Sequence, residues 1–324
     1  MTAPVRPRKG SLQFYPRKRA SKFLPSVNWS AFNIAKFDSP GILGFIVYKV
    51  GMASAIVKDS TDKSMTLGKK IALPVTILEA PNMKIFSLRF YKNNLPIKDI
   101  IVSNDKELKH ILRLPQNSLS STFSPPSDFD DVRVLVFSIP KQTSIKKTPD
   151  IIELAVSAPD KGKKLDYLKT MIGKEISLSE FIKNKPLLDA RGLTKGKGLV
   201  GPVKRFGISL RQHKSEKGRR NPGSIGPWHP ARVTFRTPLS GQLGLFSRIV
   251  YNNNVLFHSS IKDKNINPSS GFRNYGKIKS SFLILKGSVQ GPQKRQILIT
   301  PSFRPTKHQA KKKYEFLELI TETK

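Results

Sequence analysis

The sequence predicts a mainly β fold: a barrel interrupted by an inserted α/β domain, with long, irregular, basic extensions. Three observations lead there. Short β-branched runs bounded by Gly, Pro or Asn lie on both sides of residues 81–190, and several such runs separated by turn signals suggest a barrel or sandwich. Residues 81–190 hold 18 basic and 13 acidic side chains, whereas the other 214 residues hold 40 and 9, so the middle reads as an ordinary domain set into a strongly cationic chain. Residues 1–22 and 194–236 are too polar and too rich in Gly and Pro to build a core.

Residues 1–40 read as a basic extension. Its first part, MTAPVRPRKGSLQFYPRKRASK, carries seven basic and no acidic side chains, and Pro4, Pro7 and Pro16 block regular structure. Phe14, Tyr15 and Phe23 interleave rings with the charge, a pattern in which aromatic faces stack on bases while Lys and Arg meet phosphates. Residues 41–80 are assigned to the barrel, with strands at 44–50, 53–58 and 70–78. The longest apolar run, 41–57, is broken by Lys49 and several glycines and is too short to cross a bilayer comfortably.

The insertion, 81–190, follows. Residues 83–91 (MKIFSLRFY) alternate as a half-buried strand does. Residues 104–114 (NDKELKHILRL) predict a helix with Leu108, Ile111 and Leu112 on one face, ended by Pro115. Residues 131–139 and 150–157 read as buried strands, separated by Pro140 and Pro149, and helical patterns occupy 163–172 and 178–183, the second with Ser177 as its cap. Strands with packed helices make a small α+β layer.

Residues 191–236 read as a central basic loop. Between Asp189 and Asp263 the only carboxylate is Glu216, against fourteen Lys and Arg, and eleven of the 35 residues 196–230 are Gly or Pro. No long helix or ladder runs through such a stretch, and long irregular loops within a compact domain are usually functional or disordered. Trp228, between Pro227 and the pair His229 and Pro230, is a rigid ring of little use to a free loop and of much use as a wedge in an RNA crevice. The barrel resumes over 237–302, with strands at 248–257, 281–285 and 296–300. Residues 303–324 form a basic tail in which Phe303 and Tyr314 again accompany charge, and residues 314–320 are left open between helix and strand.

The whole chain has 58 Lys and Arg against 22 Asp and Glu, a formal charge of +36. That self-repulsion calls for a polyanion, either nucleic acid or, as the weaker choice, an anionic membrane. The opening MTAPVRPRKG lacks the apolar core of a secretion signal, so export is not expected. With no cysteine there is neither a disulfide framework nor a Cys-ligated zinc site. Gly196, Gly198 and Gly201 match G-x-G-x-x-G, but Pro202 and two basic residues follow where an apolar helix should begin, and no acid stands about twenty positions on. His110, His213, His229, His258 and His308 are dispersed without i, i+4 spacing, and no G-x-S-x-G occurs. The reading is therefore non-enzymatic, with no catalytic residue, metal, cofactor or small-molecule substrate. An RNA-modifying enzyme would need a cofactor pocket or an acid and base pair in the neutral domain. A DNA-compacting protein would more usually carry its charge on regular helices or ribbons.

Four ordered segments, 193–207 (LTKGKGLVGPVKRFG), 223–233 (GSIGPWHPARV), 266–275 (INPSSGFRNY) and 284–295 (ILKGSVQGPQKR), together with the opening RPRKGSLQFYPRKRA at 6–20, resemble the L-three family of large-subunit ribosomal proteins in its archaeal and eukaryotic branch. The brevity of the C-terminus beside eukaryotic members favours an archaeal source. The resemblance implies a split β-barrel of the translation-protein type with an α/β insertion, seated on large-subunit rRNA near its 3′ domain, in the cytoplasmic ribosome, among neighbouring ribosomal proteins. It also implies that the N-terminal arm and the central loop enter the RNA, that Trp228 approaches the peptidyl transferase centre with Gly226, His229 and Pro230 shaping its surroundings, and that the protein helps to begin subunit assembly. Arg6, Arg8, Lys9, Arg17, Lys18, Arg19, Lys195, Lys197, Lys204, Arg205, Arg219, Arg220 and Arg232 are expected to meet rRNA phosphates, with His229 contacting RNA beside the Trp228 wedge. Residues 218–224 (GRRNPGS) depart from the more basic stem of many relatives.

Overall fold

The β-branched runs of both flanks meet in one sheet. The computed structural model describes residues 10, 12–31, 40–114, 124–143, 145–158 and 160–320. In chain order its strands and α-helices begin with β1 (Gly41–Ile42), β2 (Phe45–Asp59), β3 (Lys70–Ala80), β4 (Met83–Lys92), β5 (Leu95–Ile101), β6 (Asp131–Ser138) and β7 (Ile151–Ser157). Then come α1 (Lys161–Met171), α2 (Leu178–Ile182), β8 (Leu187–Leu193), β9 (Gly198–Val200), α3 (Pro202–Phe206) and β10 (Gly241–Leu243). Last are β11 (Ser247–Ser260), β12 (Ser281–Lys286), β13 (Gln296–Pro301), α4 (Lys307–Ala310) and β14 (Tyr314–Ile320). The protein is mainly β, as expected.

The chain divides into two compact units: one holds the described part of residues 1–22 with Leu193–Ser247, the other Phe23–Gly192 with Arg248–Lys324. In the larger unit seven strands run in the order β13-β8-β11-β12-β3-β2-β14, and β13 also pairs with β2. Six strands thus form a closed circuit of hydrogen-bonded neighbours, with β14 on the outside. β2 makes this possible because it is long and changes partner: Phe45 to Tyr48 pair with β13, and Ser54 to Asp59 pair with β14. The runs at 44–50 and 53–58 are one strand, bent by a register shift between Lys49 and Gly51. Lys49 interrupts an apolar run because its Nζ donates to the carbonyls of Val289 and Gly291, at 2.5 and 3.2 Å. The four central residues of β12 are apolar because both its faces are covered: Leu283 and Leu285 enter one buried cluster, Phe282 and Ile284 another.

A second sheet, antiparallel throughout, has the order β1-β7-β6-β4-β5. Asn93 and Asn94, at φ 50° and 62°, turn β4 into β5, with positive φ at both central residues as a type I′ hairpin requires. Gly44, just before β2, lets the chain approach β7 closely: a β-carbon there would lie 2.5 Å from a methyl of the buried Leu154, which would have to shift. α1 buries Leu168, and Ser177 caps α2 as expected, accepting from the Glu180 N–H at 3.4 Å. Residues 104–114 depart from expectation. Only Lys106–His110 turn, as a 3-10 helix; Leu108 is buried but Ile111 is exposed and non-helical at φ −122°. The Asp105 side chain makes no capping bond; Leu108 packs with Phe86 and Phe137, joined by the partly buried Leu112 and Leu114, on a turn too short to propagate as a helix. Residues 314–320, left open by the sequence, form the edge strand β14.

β8 was not singled out as a strand. Its sequence, LLDARGL, is buried at every position, with two charges that pattern reading assigns to a surface. Asp189 accepts from the backbone N–H of Asn252 at 2.8 Å and of Phe303 at 3.1 Å, and the Arg191 guanidinium lies 4.4 Å from the Phe303 ring centroid.

Candidate nucleic-acid interface

The smaller unit is built around a few fixed points. β9 and β10 pair over Gly198–Leu243, Leu199–Gln242 and Val200–Gly241, and hydrogen bonds from Lys197 N to Leu243 O (2.9 Å) and Thr194 N to Phe246 O (3.0 Å) extend the ladder. Gly244, at φ +74°, is required because a β-carbon would sit 1.9 Å from the Lys195 carbonyl. The glycines of the G-x-G-x-x-G string therefore lie in and beside a short strand. A one-turn helix, α3, does begin at Pro202, and Gly207 ends it at φ 68° with its N–H on the Val203 carbonyl.

Around α3 the described arm and the central loop pack together. Phe206 is buried, and the Arg17 guanidinium lies between rings, 5.1 Å from the Phe206 centroid and 5.2 Å from that of Tyr15. Tyr15 meets Phe235 edge-on at 5.7 Å, and Ala20 N donates to Leu245 O at 3.0 Å. Arg205 donates to the carbonyls of Gln242 and Leu239, both at 3.1 Å. Burial lowers the pKa of its guanidinium from the ordinary value, and it remains a cation at neutral pH. Arg17 and Arg205 thus brace the unit.

The other predicted contacts are solvent-exposed, though Arg219 Nε also donates to the Arg211 carbonyl at 3.3 Å. Lys18, Arg19, Lys195, Lys197, Lys204, Arg219, Arg220, His229 and Arg232 are exposed, and Trp228 is 86% exposed within a run, 223–236, that is exposed throughout. Arg6, Arg8 and Lys9 lie outside the described residues. Among the described residues, none of Lys18, Arg19, Lys195, Lys197, Lys204, Arg219, Arg220 or Arg232 joins an ion pair. The second sheet is the opposite case: Arg89 forks onto Asp99 at 2.6 and 2.8 Å, Arg133 reaches Glu153 at 3.1 Å, and Lys164 reaches Asp131 at 2.6 Å. The second sheet neutralises much of its charge internally, whereas these cations of the smaller unit stay outside any ion pair.

The larger unit also presents cations that residue-by-residue reading passed over. Arg273, Lys277 and Lys279 are exposed on the loop between β11 and β12. That loop is pinned by Glu79, a fully buried carboxylate that accepts from Lys279 N (2.8 Å), Ser280 N (2.9 Å), Ser280 Oγ (3.0 Å) and the Tyr275 hydroxyl. Burial and the Glu79 charge raise the Tyr275 hydroxyl well above the ordinary tyrosine range. The segment 266–275 was legible only through its resemblance to a family motif. Among the described residues, no cluster of His, Asp or Glu could hold a metal ion, and no helix is long and apolar enough to cross a membrane.

This combination defines a class: a basic, mainly β protein whose compact smaller unit carries many exposed cations outside any ion pair and a solvent-facing tryptophan. The family model for ribosomal protein L3 matches residues 1–99 and 116–323. Large ribosomal subunit protein uL3 of Methanocaldococcus jannaschii is 37% identical over 314 residues, covering 93% of this chain and 92% of that protein. The uL3 proteins of Methanoregula boonei, 37% identical over 94% of both chains, and of Methanococcus vannielii, 36% identical over 93% of this chain and 92% of its own length, are similarly close. The chain belongs to the ribosomal protein L3 family, in its archaeal type. Members of this family are structural components of the large subunit of the cytoplasmic ribosome and are not enzymes.

Proposed function

We propose that the chain binds large-subunit rRNA near its 3′ domain, helps to nucleate subunit assembly, and directs the Trp228 loop toward the peptidyl transferase centre, with other large-subunit proteins as neighbours. The six-strand circuit fits the split barrel of the family, and the five-stranded sheet with α1 and α2 fits its α/β insertion, whose bounds differ from 81–190 in that β1 joins this sheet and β8 (Leu187–Leu193) returns to the barrel. The observation that carries the reading is Trp228, whose ring is 86% exposed in a loop that carries Gly223, Gly226 and Pro227, within the stretch where Glu216 is the only carboxylate. Lys and Arg of the arm and loop meet phosphates and release counterions, and the indole stacks on or wedges between bases.

The test is Trp228→Ala. An exposed side chain contributes little to the fold, so the melting temperature of the free chain is expected to hold to within about 0.5 kcal/mol of stability, while subunit assembly or peptidyl transfer declines. Unfolding of the free variant, or full assembly and activity, would sink the wedge.

A further inference from the structure

We propose that a notch between β2 and the 266–280 loop receives one unstacked nucleotide of the bound RNA, a site separate from the arm and the Trp228 loop. The proposal rests on the RNA-binding reading. The notch has a volume of about 280 Å³, and Gly51, Met52, Ser270, Phe272, Arg273 and Gln293 line it, a size that suits one base with part of its sugar rather than a duplex.

Each wall has a physical origin. On one side the register shift between Lys49 and Gly51 bulges β2, a device that re-aims side chains next to functional sites. Gly51 itself is buried, yet a β-carbon there would meet no atom within 4 Å, so the missing side chain leaves the notch open. On the other side the loop is held before any ligand arrives. Gly271 N donates to Pro268 O at 3.0 Å, and Phe272 and Gly276 exchange hydrogen bonds of 2.9 and 3.0 Å. Asn267 bonds Ile278 N and O at 2.8 and 3.0 Å, and Glu79 anchors Tyr275, Lys279 and Ser280. A wall fixed in this way loses little entropy on binding.

The chemistry of the lining selects the ligand. Met52, 52% exposed, and the half-buried Phe272 offer apolar surface to a flat ring. Gln293 carries both a donor and an acceptor amide, as base-edge recognition needs. Arg273 is an exposed cation at the rim, and no carboxylate lines the notch. A flat, hydrogen-bonding, anionic ligand satisfies all three features, and a nucleotide with its phosphate is that ligand.

The test uses the full chain and a hexaribonucleotide with one central 4-thiouridine, either single-stranded or annealed to its complement, with photo-crosslinks mapped by peptide mass spectrometry. The single strand is expected to give adducts on peptides containing Met52 or Phe272, and the duplex to give none there. Gly51→Leu, which fills the notch from a strand position with open space, should lower that yield roughly fivefold or more, as loss of about one base-stacking interaction would, and Gln293→Ala, as a second variant, should lower it about three- to tenfold, as loss of one hydrogen bond to a base edge would. The salt dependence of total binding should stay unchanged in both variants. Adducts confined to residues 10–22 and 193–247, or equal yields from folded Gly51→Leu and the parent chain, would overturn the notch while leaving the RNA reading intact. Absence of any salt-sensitive binding to the oligonucleotide or to rRNA would overturn the RNA reading itself.

Discussion

Replacing Lys18, Lys195, Lys197, Lys204, Arg220 and Arg232 together by Gln removes six charges that the fold does not use. All six are exposed, and among the described residues none joins an ion pair. Each phosphate contact contributes about 0.7 to 0.9 to the slope of log K against log salt, so loss of all six should flatten that slope by about 4 to 5 units. Because no intramolecular partner is lost and like-charge repulsion falls, the melting temperature of the free chain should hold or rise slightly. Arg205→Gln is the contrasting control: it removes two hydrogen bonds to the carbonyls of Gln242 and Leu239 and should cost the smaller unit about 1 to 3 kcal/mol. Fluorescence anisotropy on large-subunit rRNA between about 50 and 200 mM KCl reads the slope, and calorimetry reads stability. An unchanged slope, or a sixfold variant that melts much earlier, would refute the division between unpaired and bracing cations.

Two further outcomes concern the larger unit. Glu79→Ala strands four donors, from Lys279, Ser280 (two) and Tyr275, and should lower stability by about 3 kcal/mol in urea unfolding while loosening residues 266–280 to hydrogen exchange; an unchanged midpoint would show that Glu79 does not hold the loop. Burial lowers the pKa of the Lys185 ammonium from 10.5 to about 8. The unfolded chain then binds the extra proton between those values, so Lys185 costs stability below pH about 8 and the cost fades as pH rises toward 10.5. The Phe181 ring, 4.4 Å from Nζ, offsets part of that cost. Lys185→Met should therefore stabilise the protein by roughly 1 to 2 kcal/mol at neutral pH and abolish this rise; a destabilised variant would contradict the sign.

What sequence reading recovered, and what it missed, follows from which forces leave a local mark. Strands β2, β3, β4, β6, β7, β11, β12 and β13 were legible because they need β-branched and aromatic runs wherever they are buried. β8 was hidden because Asp189 and Arg191 are neutralised by groups far away in sequence, the Asn252 and Phe303 amides and the Phe303 ring. β5 carried a readable signal in Asn93 and Asn94, but its exposed LPIKDII lacks a clean alternation. The helix expected over 104–114 packs its leucines Leu108, Leu112 and Leu114 but has no side-chain N-cap bond and extends only over Lys106–His110 as a 3-10 helix. In the smaller unit, composition and the family resemblance together singled out Trp228 and the basic residues that the structure leaves exposed. The bracing of Arg17 and Arg205 by Phe206 and by backbone carbonyls was not legible, since an arginine that holds a loop and one that awaits a phosphate read alike in sequence.

The central claim is that Trp228 passes from solvent into RNA, and the chain offers a direct reporter. It has two tryptophans: Trp29, buried with its indole N–H on the Glu153 carbonyl at 3.2 Å, and the exposed Trp228. In a Trp29→Phe variant Trp228 is the sole emitter. Its fluorescence in the free chain should be red-shifted and readily quenched by acrylamide. On assembly with large-subunit rRNA it should become inaccessible to acrylamide and dimmed by base stacking. Emission that stays bright, red-shifted and fully quenchable on the assembled RNA would contradict the account.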